Sequence, residues 1–379
     1  MSTIGSFLQG TRIVDLSQYI PGPLASLMLV DMGADVIKIE PPSGDPMQTL
    51  GPRGGDGSAL FYETLNAGKS ILHLDLKDPK QLELCIDLIR DCDVLIEGFR
   101  PGVMRRLELD YETLRSVNTR LIYCSINGYG AVGSQSQRAG HDANYLAEAG
   151  VLDRNGSTRP MFFDPPIADL SGSLFAAMAI LGALNGRHRT GDGCHIDLAL
   201  ADVIMPLQML QIADYAENGT VPQRGETYLN GGAAYYTIYE TSDGEHVVVG
   251  AVEPKFWRMF CQAAGCPQWI ERQGEQIPQH ALIKDVANRL AELTLADCLE
   301  RFANDNCCVS PVLPIDRAVQ SEHVSERGLV TAARNGGMQS LFPAIIDGEA
   351  PRTRPPLQPY TISDRGPDGA TRPNTKEED

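Results

Sequence analysis

The sequence predicts an α/β protein, with a large domain on a parallel, doubly wound sheet and a smaller α+β domain. Three observations carry this reading. The first hundred residues alternate apolar strand-like runs with amphipathic helical ones, the pattern of strand–helix–strand units. The character changes near Gln211, and two alternating runs then flank Ser242-Asp243-Gly244, a hairpin signal. A chain of 379 residues is also long enough to bury two cores.

In chain order, residues 13–16 form a short apolar strand, and 23–32 a helix with Pro23 near its first turn. Gly33 stops that helix, and 36–39 is the next strand. Residues 79–90 are a second amphipathic helix, followed by strands at 94–96 and 121–126, the latter running into Asn127-Gly128-Tyr129-Gly130. The Ala-, Gly-, Leu- and Met-rich run 170–187 reads as a buried helix, Gly191-Asp192-Gly193 as a turn and 194–200 as a strand. The hairpin pairs 235–240 with 246–250, and helices follow at 254–264, 281–293 and 295–304. After Asp316 the chain is rich in Pro and Gly, and from Ser363 it is expected to be disordered. The expected domains are 1–210, 211–320 and a segment 321–379 returning to the large domain.

A formal charge of −17 argues against nucleic acid and anionic membrane as partners. A polyanionic ligand must then be held by a local basic cluster, for which Arg100, Arg106 and Lys77 are the candidates, each alternatively a solvated charge. Nine cysteines without C-x-x-C spacing fit neither a zinc site nor a disulfide scaffold, and Cys307 and Cys308 are expected reduced. His73, His188 and His195 have no metal-ligand spacing, so no metal is expected. The start lacks the build of a signal peptide, and no apolar run reads as a membrane span; a soluble cytoplasmic protein is expected. No G-x-G-x-x-G follows the first strand, which counts against a nicotinamide dehydrogenase.

The most informative stretch is Gly140-His141-Asp142-Ala143-Asn144-Tyr145, with Asp169 beyond a polar loop. An imidazole and a carboxylate converging on one pocket suit removal of a proton from carbon on one face and its return on the other. Asp169 lies just before the apolar helix expected from Leu170, where free N–H groups favour negative charge; it is either an N-cap or a catalyst. Met161, Phe162, Met178, Met205 and Met209 are either core or a pliable surface for acyl chains.

The segments Gly10-Thr11-Arg12-Ile13-Val14-Asp15-Leu16-Ser17, Pro21-Gly22-Pro23 and Val36-Ile37-Lys38-Ile39-Glu40 resemble the class III coenzyme A transferase superfamily. So do Asn66-Ala67-Gly68-Lys69-Ser70, Glu97-Gly98-Phe99-Arg100-Pro101-Gly102 and Val249-Gly250-Ala251-Val252-Glu253-Pro254. The resemblance runs from about residue 8 to 330. It implies a Rossmann-like large domain that binds coenzyme A, a smaller α+β domain, and an interlocked homodimer in which each small domain helps close the partner's active site.

The His141 block is similar to the α-methylacyl-CoA racemase branch; the transferase branch generally lacks the His. This implies a racemase or epimerase of 2-methylacyl-CoA thioesters, working by 1,1-proton transfer through an enolate with His141 and Asp169 as the acid–base pair. Asp169 as a nucleophile forming a mixed anhydride in a coenzyme A transferase is the alternative. A non-catalytic acyl-CoA-binding protein is a third reading, which the His141, Asp169 and Glu253 set disfavours. Glu253 is expected to orient the His141 imidazole, or else to be a plain helix-start carboxylate. Pro41, Leu74, Asp75, Leu76 and Lys77 are expected to line the nucleotide, Arg100 and Arg106 to meet phosphate, and Gly140, Ala143, Asn144 and Tyr145 to line the bound acyl-CoA, with Asp142 pointing away from His141 as either a structural or a ligand-lining residue. No cofactor is expected beyond the coenzyme A of the substrate. The chain departs from the racemase pattern after Asp153, where Met161-Phe162-Phe163-Asp164-Pro165-Pro166 replaces the usual run, a change that bears on the acyl chain.

Overall fold

The computed structural model describes residues 3–303, 307–333 and 337–361. The chain divides into two compact units: Met1–Ala149, Asp164–Leu207 and Glu322–Asp379 form the first, and Gly150–Phe163 with Gln208–Ser321 the second.

In the first unit, β1 (Arg12–Asp15) leads to α1 (Pro21–Asp31), where Pro21 and Pro23 sit in a first turn that needs no donor from them. β2 (Asp35–Glu40), α2 (Leu60–Asn66) and β3 (Ser70–His73) follow. α3 (Pro79–Arg90) is capped by Asp78, which accepts from the Lys80 N–H at 2.9 Å. β4 (Val94–Glu97) is buried throughout, as a central strand covered on both faces must be. Next come α4 (Val103–Arg106), α5 (Tyr111–Val117), β5 (Ile122–Asn127) and α6 (Asp142–Glu148). After α7 (Val151–Arg154), which falls in the second unit, the first resumes with α8 (Ile167–Thr190), β6 (Cys194–Ala199) and α9 (Ile204–Leu207).

These strands and a C-terminal strand, Gln358–Pro359, form one parallel sheet of seven. Its order is C-terminal strand, β3, β2, β1, β4, β5, β6. The order reverses between β1 and β4, so a crevice opens beyond their carboxyl ends, where such sheets bind ligands. A Cβ on Gly22 would lie 2.1 Å from Ser17 Oγ, so only glycine lets α1 start this close to the end of β1.

Two lysines are fully buried beneath this crossing. Lys38 donates to the Ser17 carbonyl at 2.6 Å and lies 3.0 Å from Asp45, while Lys69 lies 3.4 Å from Asp15 and donates to the Pro23 carbonyl at 2.8 Å. Burial pushes Lys69 down to about 7. Burial alone would raise Asp15, but Lys69, Lys38 and two serine hydroxyls hold it below the usual carboxylate range. Residues 322–361 return to this unit, and Arg354 grips Asp31 through two bonds of 2.6 and 2.7 Å.

The second unit is α+β. α10 (Met209–Asn218) precedes the antiparallel hairpin β7 (Tyr236–Glu240) and β8 (His246–Gly250). α11 (Pro254–Ala263), α12 (His280–Leu290), α13 (Leu295–Ala303) and β9 (Val309–Pro311), paired with β8, complete it. Trp257, Phe260, Val247, Val249, Leu282 and Val286 form its core.

Several expectations are corrected. α8 begins at Ile167 and not at Leu170, so Asp169 lies inside the first helical turn. It is also not buried all round: Leu174 and Met178 are exposed, because an apolar composition does not reveal which face packs. By length and composition α8 is apolar enough to cross a membrane, which the sequence reading missed; much of it packs on α1 and the sheet, as a core helix does. Residues 150–163 belong to the second unit. β3 and β9 were not expected as strands, nor the short antiparallel pair Val330–Ala332 and Met338–Ser340. The tail from Ser363 lies outside the described residues.

Candidate active site

Because the sheet is parallel, β2, β3, β4 and β5 deliver their following residues to one edge. Pro41 follows β2, and Leu74 follows β3, its N–H donating to the Glu40 carbonyl at 2.8 Å. The turn Leu74–Leu76–Lys77 is set by Asp75, whose carboxylate accepts from the Lys77 N–H at 3.0 Å. Arg100 lies three residues after β4, and Arg106 ends α4. The side chains of Lys77, Arg100 and Arg106 are all exposed.

The stretch after β5 carries the candidate acid–base pair. His141 is the residue before α6, with its N–H held by Asn144 Oδ1 at 3.0 Å. Tyr145 donates to the Gly140 carbonyl at 2.6 Å, and a Cβ on Gly140 would lie 2.8 Å from its ring. Ala143 occupies the first turn of α6 between Asp142 and Asn144. The Asp142 carboxylate leaves its own helix: Oδ1 accepts from the N–H groups of Ala168 at 2.7 Å and Asp169 at 3.2 Å. Because α8 starts at Ile167, these two amides belong to its first turn, and Asp142 satisfies them. The start of α6 and the start of α8 are thereby joined, which brings His141 and Asp169 onto neighbouring helix ends.

Burial first, and the Asp142 carboxylate second, push the Asp169 carboxyl up to about 7. Such a group both holds and releases a proton near neutral pH. Burial, and then Asp169, push the Tyr145 phenol up to about 12.

Glu253 belongs to the second unit, exposed, as the N-cap of α11 before Pro254, and its side chain makes no capping bond. The structure therefore ties Asp142 to the start of α8 that carries Asp169, with His141 immediately before Asp142, while Glu253 belongs to the other unit. Met161, Phe162, Met178, Met205 and Met209 are all exposed, so the reading of them as core is corrected.

Three features escaped the sequence reading. Tyr19, at φ 64°, places its ring edge-on to His141. Arg138 pairs with Glu148 at 2.7 Å and covers the Tyr129 ring, which packs edge-on against Tyr145. The buried Asp15, Lys38 and Lys69 set had a signal, since each charge interrupts or borders an apolar strand.

The family model for CoA-transferase family III matches residues 8–360. The human alpha-methylacyl-CoA racemase is 35% identical over 331 residues, 85% of this chain and 81% of that protein. The acetyl-CoA:oxalate CoA-transferase of Acetobacter aceti is 30% identical over 365 residues, 91% of each chain. A crystal structure of a CAIB/BAIF family protein from Brucella suis superposes with a TM-score of 0.81 at 27% identity, covering 93% of this chain and 96% of that one. The fold and the site thus define an enzyme of the acyl-CoA class. The chain belongs to CoA-transferase family III.

Proposed function

We propose that the chain inverts the configuration at C2 of 2-methylacyl-CoA thioesters. The observation that carries this reading is Asp169, with a proton affinity near neutrality, on a helix end joined to the one that carries His141. In one direction Asp169 takes the C2 proton, the electron pair moves into the enolate, and protonated His141 returns a proton to the opposite face. Asp169 is then protonated and His141 neutral, the state needed for the reverse direction. Anhydride chemistry requires neither the His nor a carboxyl that holds its proton. The similarity to the human racemase supports the same reading.

Arg100, Arg106 and Lys77 would meet the phosphates of coenzyme A, Pro41 and Leu74–Lys77 the nucleotide, and Gly140–Tyr145 the thioester. The acyl chain would lie on the exposed Met178 and Met205. The apolar residues left exposed on α9 and α10, Leu207, Leu210 and Ile212 among them, support an obligate homodimer. In it the partner subunit supplies the orienting Glu253. No group beyond the coenzyme A of the substrate is needed.

A coenzyme A transferase with Asp169 as nucleophile is the second reading, supported by the transferase relative. Hydroxylamine separates the two. A racemase gives no trapped acyl group at Asp169, and His141→Ala lowers turnover at least ~100-fold. Trapping at Asp169 with normal turnover in His141→Ala would replace it with the transferase reading.

A further inference from the structure

The Asp142 carboxylate performs a task that α8 cannot perform for itself. A helix start leaves four N–H groups without partners, and a residue before the helix usually accepts from one of them. In α8 that residue is Pro166, which has no side chain able to do so. Asp142 reaches across from the first turn of α6 and accepts from the Ala168 and Asp169 amides at 2.7 and 3.2 Å. A neutral acceptor would satisfy the same amides. The residue present is a carboxylate, placed beside a second carboxylate that is itself half-buried.

We propose that Asp142 is a positioning residue for the acid–base pair: it ties the helix that starts after His141 to the helix that carries Asp169, and sets a like charge beside the Asp169 carboxyl. The inference rests on the reading of Asp169 as a proton-transfer group. The two roles reside in different parts of one side chain, the tie in its acceptor oxygen and the tuning in its charge.

Besides His141, its proposed proton-transfer partner at the start of α6, Asp142 is the charge that acts on Asp169. Of the elements packed on α8, α1 brings only Asp31, which is held by Arg354. β5 brings Tyr123 and Cys124, and β6 brings Cys194, His195 and Asp197. α6 brings Tyr145 and Glu148 besides Asp142, with Tyr145 donating to Gly140 and Glu148 paired to Arg138. Burial and Asp142 are the two causes of the Asp169 shift.

Asp142→Asn separates the roles, because the amide oxygen still accepts from both N–H groups while the charge is gone. The measurement is the carboxyl carbon-13 titration of Asp169 in the full-length protein, its resonance assigned by its loss in Asp169→Asn. In Asp142→Asn the midpoint is expected to fall by at least about one pH unit, as loss of a like charge requires. The melting temperature should stay close to that of the native chain, and the acid limb of C2 deuterium exchange into a 2-methylacyl-CoA should move to lower pH with the midpoint. Asp142→Ser, whose hydroxyl can also accept, serves as a second neutral cap and should show the same shift. Asp142→Ala should shift the midpoint and also lower the melting temperature. An unmoved midpoint in folded Asp142→Asn or Asp142→Ser would overturn the inference while leaving the acid–base reading intact. Full exchange activity in Asp169→Asn would instead overturn the acid–base reading itself.

Discussion

The phenol ring of Tyr19 meets the imidazole of His141 edge-on, with centroids 6.5 Å apart and planes at 78°. Tyr19 holds this place at φ 64°, a left-handed conformation that costs a residue with a Cβ about 1 kcal/mol or more. The loop is fixed from below: Asp15 accepts from the Ser17 N–H at 2.9 Å, and Lys38 donates to the Ser17 carbonyl. An edge-to-face pair is worth roughly 0.5–1.5 kcal/mol, so losing it should cost about two- to ten-fold in turnover. Tyr19→Gly removes the ring and relieves the backbone together. We expect its melting temperature to match the native chain while kcat falls by that factor. Unchanged kcat would mean that the ring has no part in placing His141.

Asp169 should carry a stability cost that its substitution relieves. A carboxyl whose folded pKa is raised binds its proton more tightly when folded, so stability is fully present below the unfolded value near 3.8 and is lost as pH rises toward about 7. Asp169→Asn escapes that loss. It should be more stable than the native chain at pH 8 by at least about 1 kcal/mol and similar to it at pH 4, as urea titrations would read. Equal stability at both pH values would place the Asp169 carboxyl in water.

The buried Asp15 and Lys69 pair predicts an asymmetric response to substitution. Asp15→Ala leaves the buried Lys69 without its ion-pair partner and should cost about 3–5 kcal/mol. Replacing both residues, Asp15→Asn with Lys69→Met, should cost less than Asp15→Ala alone. Equal or additive losses in the double variant would show that the two charges do not depend on each other.

Most of the sheet was legible because its strands are short apolar runs between helices with capping residues, as at Asp78-Pro79 and Pro21-Gly22-Pro23. β3 was not, since Ser70–His73 mixes polar ends with only two apolar residues and borders the buried Lys69. The site residues His141 and Asp169 were legible by type and by family resemblance. Their connection was not, because Asp142 looks like an ordinary first-turn acid until α8 is seen to start at Ile167 with a proline before it. Tyr19 was hidden for a similar reason, since nothing local marks a tyrosine as left-handed.

The coenzyme A reading predicts a salt-sensitive affinity. Arg100→Ala and Arg106→Ala should each weaken acyl-CoA binding, and the loss should shrink as salt screens the exposed charges. If both leave affinity unchanged in calorimetry, the phosphates lie elsewhere.

The central claim is proton exchange on both faces of one carbon by His141 and Asp169. The most direct measurement incubates a single enantiomer of a 2-methylacyl-CoA with the native enzyme in deuterium oxide and follows C2. The account predicts deuterium at C2 together with loss of chirality; inversion is abolished in Asp169→Asn and in His141→Ala, while in His141→Ala Asp169 still exchanges the C2 proton of one enantiomer. Retained configuration without deuterium, accompanied by transfer of coenzyme A to an added carboxylic acid, would contradict it.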